Sequence, residues 1–160
     1  MSTHTISILT ENHSGSLSRI AGLFSSRGYN ISTLTVAETE DPCVSRMTIV
    51  VSGDEGILEQ IVKQLNKLVD VIKVVDFIEE PIIERELLLV RVDSTKSNRH
   101  EIIETANLFG AGVASVAAGS VTLELLGTTQ QLDDFIALLK PYGIKETVRS
   151  GAVAIAKSKK

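Results

Sequence analysis

The chain reads as an α+β protein made of two βαββαβ units, each an antiparallel sheet with its helices on one face, and three observations carry that reading. Apolar residues alternate between the strand period of about 2 and the helix period of about 3.6 in the same order twice over. Turn-forming residues sit at the switches, among them Thr39-Glu40-Asp41-Pro42, Gly53-Asp54 and Ala118-Gly119. Between the two series, Glu79-Glu80-Pro81 interrupts the pattern. Such a unit is a ferredoxin-like arrangement.

The first unit opens with His4-Thr5-Ile6-Ser7-Ile8-Leu9, whose alternation predicts a strand over 4–10. Leu17, Ile20, Ala21 and Phe24 recur at i, i+3, i+4 and i+7, one buried face of a helix over 16–27, with Ser14 and Ser16 as candidate N-caps. Gly28 suits the left-handed position that ends a helix, and the chain restarts as a strand over 30–39. Asp41 and Pro42 break it, because proline has no N–H for a central ladder, and a second hairpin arm runs over 44–52. Leu58, Ile61, Val62 and Leu65 then form a helical stripe within 55–69, and a strand over 71–78 closes the unit.

The second unit repeats the order: a strand over 85–93, a helix over 98–109, and a hairpin with arms 113–116 and 120–126 around Ala118-Gly119. Leu132, Phe135, Ile136 and Leu139 mark a second helix, 143–148 a closing strand, and 152–156 one added edge strand. The expected domains are 1–78, a linker at 79–83, and 84–160. Identity between the halves is low, so the repeat is one of pattern and bears on architecture rather than shared function. A small sheet covered on one face leaves apolar strand residues wet, and oligomerisation is the expected remedy.

Composition narrows the function. Aromatic residues are 4% of the chain with no Trp, and the formal net charge is -4 without a long basic run, which speaks against base stacking and non-specific nucleic-acid binding. A lone Cys43 forms no internal disulfide, and the N-terminus lacks a secretory pattern, so a cytoplasmic protein is expected. No apolar run approaches the about 20 residues that span a bilayer, and Lys157-Ser158-Lys159-Lys160 reads as a solvated tail. No membrane role is expected.

Catalytic groupings are equally sparse. His4, His13 and His100 are dispersed, without the i, i+4 spacing of a metal pair, and read as ordinary loop and terminal histidines. Cys43 has no base near it in sequence, and Gly110-Ala111-Gly112 lacks the Lys-Ser/Thr sequel of a phosphate loop. Glu79 and Glu80 point to opposite faces if extended. The chain therefore does not read as an enzyme. Its ligand-capable feature is the turn from Glu11 to Ser16, where a strand feeds a helix whose first N–H groups favour an anion such as a carboxylate.

Glu11-Asn12, Ser14-Gly15, Leu17-Ser18-Arg19, Gly22-Leu23-Phe24, Arg27-Gly28-Tyr29-Asn30-Ile31, Leu34-Thr35-Val36 and Ser45-Arg46-Met47-Thr48-Ile49 together resemble the regulatory small subunits of acetolactate synthase. The resemblance continues through Gln64 to Val71, Glu84 to Leu87 and Glu146 to Gly151, and so covers nearly the whole chain. It implies an N-terminal ACT domain that dimerises and binds a branched-chain amino acid, typically valine. It also implies a catalytic-subunit partner that carries thiamine diphosphate, Mg and FAD, with no cofactor on this chain. Activation of that partner and feedback inhibition would be the small subunit's role.

Family ligand positions carry over onto Asn12, Gly15, Ser16 and Leu17 in the turn and onto Asn30 and Ile31 at the second strand, the two sets coming from different subunits of a dimer. In that reading the N–H groups of Gly15, Ser16 and Leu17 take the effector's carboxylate, Asn12 or Asn30 accepts from its ammonium, and Leu17 and Ile31 wall its side chain. Read without the resemblance, Asn12, Ser14 and Asn30 are turn or cap residues and Leu17 and Ile31 are core. Arg46 is either a surface cation or a partner contact. Glu146 and Arg149 either pair locally or meet the catalytic subunit, local pairing being the plainer reading. His13 lies inside the turn, and its protonation would favour a bound carboxylate as pH falls. The rival reading is a free-standing amino-acid-sensing module acting on another protein.

Overall fold

Strand β1 (Ser2–Glu11) runs down the middle of the first sheet, where it pairs antiparallel with β3 (Val44–Gly53) on one side and β4 (Val71–Asp76) on the other. Strand β2 (Ile31–Glu38) pairs with the outer edge of β3, giving the order β2-β3-β1-β4. The computed structural model describes residues 2–158, with the side chain of Ser2 left aside, so Lys159 and Lys160 of the basic tail lie outside the described residues. Helices α1 (Ser16–Ser26) and α2 (Glu55–Leu65) supply the connections from β1 to β2 and from β3 to β4. This is the expected βαββαβ order.

The core of this unit follows the strand period. Ile6 and Ile8 of β1 and Met47, Ile49 and Val51 of β3 face Ile20 and Phe24 of α1 and Leu58, Ile61 and Leu65 of α2. The stripe on α1 differs from the expected one: Ser16, Ile20 and Phe24 are buried, whereas Leu17 is 42% exposed and Ala21 half-buried. Gly28 at φ 74° ends α1, with Gly28 N–H on the Ser25 carbonyl and Tyr29 N–H on that of Phe24, a Schellman closure as the sequence anticipates. Helix α2 stops at Leu65, short of the expected 69. Asn66 takes the last position and returns its side-chain amide to the Val62 carbonyl, which competes with further helix.

Close approach governs one further position. The Tyr29 hydroxyl accepts from the Asp54 N–H (3.2 Å) and donates to its carbonyl (3.3 Å), and the ring lies where a Cβ on Gly53 would be. Gly53→Ala is expected to lower stability by about 1–3 kcal/mol, the usual cost of forcing a packed ring aside. A urea midpoint equal to that of the parent chain would show that the ring yields freely.

The second sheet has the order β6-β7-β5-β8, formed by β5 (Ile82–Asp93), β6 (Gly112–Val116), β7 (Ser120–Gly127) and β8 (Ile144–Arg149), and β9 (Val153–Ala156) pairs with β5 off this path. Helices α3 (Arg99–Leu108) and α4 (Thr129–Leu139) join them, the second opened by a capping box of Thr128 and Gln131. Leu88, Val90, Val92, Val121, Leu123 and Leu125 pack on Ile102, Ala106, Leu132, Phe135 and Leu139.

The boundaries depart from the sequence expectation at two places. Ile82 and Ile83, expected in the linker, begin β5. The chain's end, expected in the second domain, belongs with the first unit: that unit comprises residues up to Ile83 together with those from Ala152 onward, and the second comprises Glu84–Gly151. Lys157 N–H donates to the Pro81 carbonyl (2.9 Å), so the basic tail is tethered at its first residue. Among the described residues no helix is long and apolar enough to cross a membrane.

Candidate functional site

The turn between β1 and α1 is held from three directions. Glu11 N–H donates to the Asp70 carbonyl (2.8 Å) and Asn12 N–H to that of Cys43 (2.8 Å), so the end of β1 is tied to both of its flanking elements. Asn12 Nδ2 donates to Glu38 Oε1 (3.1 Å) and to the Pro42 carbonyl (3.1 Å), which fixes the turn to the β2–β3 hairpin. The third tie runs through the helix. Ser16 is buried and its hydroxyl donates to Asp70 Oδ2 (3.1 Å), the carboxylate oxygen that the Arg19 guanidinium also meets.

Neither serine caps α1, contrary to the sequence expectation. Gly15 occupies the cap position at φ 87° and supplies no side chain, while Ser16 sits one residue into the helix and turns to Asp70. The Ser16 N–H donates to the His13 carbonyl (3.3 Å), which removes one of the three donors the sequence assigned to an effector carboxylate. The first intrahelical bond is Arg19 N–H to the Gly15 carbonyl, so the N–H groups of Leu17 and Ser18 have no acceptor within the helix. An anion is favoured at such an end by these donors and by the helix dipole. Leu17, exposed beside them, is free to line an apolar ligand and is not core.

Asn30 is exposed and Ile31 half-buried against the first core, paired with Val51. Both lie beyond the C-terminal end of α1, whereas Asn12, Gly15, Ser16 and Leu17 lie at its N-terminal end. An eleven-residue helix separates the two sets by about 16 Å at 1.5 Å per residue. One copy of the chain therefore does not bring all six residues around one small ligand.

Charge around the turn is arranged more closely than the sequence shows. The Arg19 guanidinium, aided by the Ser16 hydroxyl against partial burial, holds the Asp70 carboxyl below the usual carboxylate range. His13 Nε2 meets Glu11 Oε2 at 3.0 Å, so the ring faces an acid of its own turn. Glu11, His13 and Asp70 place one ligand-type atom each within 4.8 Å of one another, a grouping that the dispersed histidines do not announce. The Asp70 carboxylate is already engaged through Oδ2 by Arg19 and Ser16.

The other nominated residues separate from the turn. Arg46 is exposed, with Nη1 donating to Ser7 Oγ (3.0 Å), and it lines a groove of about 490 Å³ on the sheet face opposite the helices, with Leu9, Glu38, Thr48 and Val153. None of the six turn and strand positions lines that groove. Glu146 and Arg149 do not pair with each other: Arg91 Nη1 meets Glu146 Oε2 (2.8 Å), and Arg149 grips Glu86 through Nε (2.8 Å) and Nη2 (2.9 Å) and Asp133 through Nη1 (2.6 Å). Three residues apart on one strand, they point to opposite faces.

Residues 6–73 match the family of AHAS small subunit-like ACT domains, and residues 85–158 match that of the small subunit of acetolactate synthase. A probable acetolactate synthase small subunit of Archaeoglobus fulgidus is 48% identical over 157 residues, covering 98% of each chain. The chain belongs to the acetolactate synthase small-subunit family. The acetolactate synthase small subunit of Haemophilus influenzae is 48% identical over 156 residues, which is 97% of this chain and 96% of that one. The crystal structure of the Thermotoga maritima small subunit superposes with a TM-score of 0.89 at 34% identity, covering 99% of both chains. Membership makes this a small regulatory chain of the family and not its catalyst, with an ACT domain as the first unit.

Two residues at the turn escaped the sequence reading, Arg19 and Asp70. They are 51 positions apart, and no local pattern joins them. The βαββαβ order does contain the signal, because β4 neighbours β1 antiparallel and so delivers the residue before β4 to the end of β1.

Proposed function

We propose that this chain activates the thiamine-diphosphate-dependent catalytic subunit of acetolactate synthase and makes it subject to feedback inhibition by a branched-chain amino acid, valine in the first instance, in the cytoplasm. The observation that carries the reading is the separation of Asn12, Gly15 and Leu17 from Asn30 and Ile31 by the length of α1. A ligand site using both sets needs a second copy, so effector binding requires the dimer. The N–H groups at the start of α1 take the carboxylate, the free carbonyl of Asn12 or the Asn30 amide accepts from the ammonium, and Leu17 and Ile31 face the isopropyl group. Burial of that group contributes about 1.5–3 kcal/mol, too little alone for useful affinity, so recognition of the zwitterion supplies the rest and the selectivity for an amino acid.

The chemistry, with thiamine diphosphate, Mg and FAD, belongs in this reading to the catalytic partner. Arg46 in its groove is a point of contact with that partner. Glu146 and Arg149 are each held by ion pairs within their own unit, which supports the plainer of the two roles the sequence leaves open to them. The test is the acetolactate-forming rate of the catalytic subunit from the same organism, alone and with this chain, across a valine titration. The expected result is a higher rate on adding the chain and a progressive fall as valine rises. An unchanged rate at every ratio of the two chains would overturn the proposal.

A further inference from the structure

The turn that is to receive a carboxylate has a carboxylate of its own beside it. Asp70 Oδ2 accepts from the hydroxyl of Ser16, the first residue of α1, and so stands one side chain away from the N–H groups at that helix end. Glu11 adds a second acid, with its oxygen within 4.8 Å of the Asp70 and His13 atoms. Two like charges at this range would repel an incoming anion in proportion to their charge. The cation placed against them from the helix side is Arg19, whose guanidinium is bonded to the same Asp70 oxygen. His13 faces Glu11 and contributes positive charge only when protonated.

We propose that Arg19 is a positioning residue for the effector site: by neutralising Asp70 it makes the end of α1 electrostatically open to an amino-acid carboxylate. The inference rests on the effector reading above and adds to it the group that sets anion affinity. A purely structural clamp and a charge shield make opposite predictions. If the Arg19–Asp70 pair merely braces the turn, removing either partner damages the site equally and removing both does not repair it. If Arg19 shields, only its loss is harmful, because only then is Asp70 left as a bare negative charge, and neutralising Asp70 as well restores the site.

The experiment is calorimetric titration of L-valine into the full-length chain and four variants, each checked for an unaltered melting temperature. Arg19→Gln is expected to weaken binding at least about tenfold, Arg19→Lys to keep it near the parent value, and Asp70→Asn to leave it unchanged or tighter. The double variant Arg19→Gln with Asp70→Asn is expected to regain most of the lost affinity. Parent-like binding by Arg19→Gln, or a double variant as weak as Arg19→Gln alone, overturns the shield. Absence of binding by the parent chain to valine, leucine and isoleucine alike overturns the effector reading itself and the shield with it.

Discussion

Arg149→Met is expected to destabilise the second unit by about 3 kcal/mol, because it strands an acid in the interior. Glu86 is buried with its side chain 1% exposed, and both of its oxygens are taken by Arg149 in the two-pronged geometry that guanidinium and carboxylate share. Thr129 Oγ1 lies 3.2 Å from Glu86 Oε2 but only 2.6 Å from Glu84 Oε1, so its single proton serves Glu84 first and does little for Glu86 after the substitution. The Arg149 side chain itself is 29% exposed, so water reaches the site in part, and the loss sits at the lower end of the range for a broken buried pair. These interactions, with Asp133, raise the Arg149 pKa further above a value already far beyond physiological pH, and its charge is permanent. Replacing both partners, Glu86→Leu with Arg149→Met, removes the stranded charge and is expected to recover most of the loss. Urea unfolding of the three chains checks this, and equal losses in the single and double variants would mean that the pair itself, and not the orphaned acid, sets the stability.

The buried acid is legible in the sequence. Strand β5 alternates so that Glu86, Leu88, Val90 and Val92 share one face, and the last three are core. An acid in register with three core residues needs a buried partner. The remaining fold was readable for the same reason: in both units the strand and helix periods are clean and the turns carry Pro, Gly or Asp where the chain reverses. The reading failed where a contact at long range overrides a local preference. Ser16 looks like a cap by its type and place, yet a carboxylate 54 positions away claims its hydroxyl. The start of β5 hides behind Pro81, although Ile82 is in phase with Glu86, Leu88 and Val90 on the strand's inward face while Ile83 is exposed. Return of the chain's end to the first unit has no local signature at all.

At the candidate site the residue types were informative and their roles were not. Asn12 and Asn30 carry the same amide, but Asn12 is tied to a hairpin that lies 26 and 30 positions further along, at Glu38 and Pro42, and periodicity does not reach that far. Leu17 was ambiguous between core and ligand wall because it falls on the stripe of α1. The helix is rotated so that Ser16 takes the buried place, which needs the Asp70 acceptor to make a buried hydroxyl tolerable.

Asn12→Ala is expected to abolish the response to valine while leaving activation of the catalytic subunit intact. Both amide hydrogens of Asn12 are engaged by acceptors on the hairpin, so the group it has left for a ligand is the carbonyl oxygen, an acceptor suited to an ammonium. Alanine removes that acceptor together with two hydrogen bonds that are exposed to water, which are worth on the order of 1 kcal/mol in all. The first core, from Ile6 to Leu65, is untouched, so the chain folds and its partner surface survives. The backbone N–H of residue 12 still bonds the Cys43 carbonyl, and the turn keeps its course. The acetolactate-forming rate of the complex, measured across valine concentrations, should rise on adding the variant as it does with the parent chain and then stay flat. Inhibition at the parent's valine concentration would remove Asn12 from the effector site. Loss of activation together with a lowered melting temperature would show instead that its bonds to Glu38 and Pro42 hold the hairpin in the form the partner recognises.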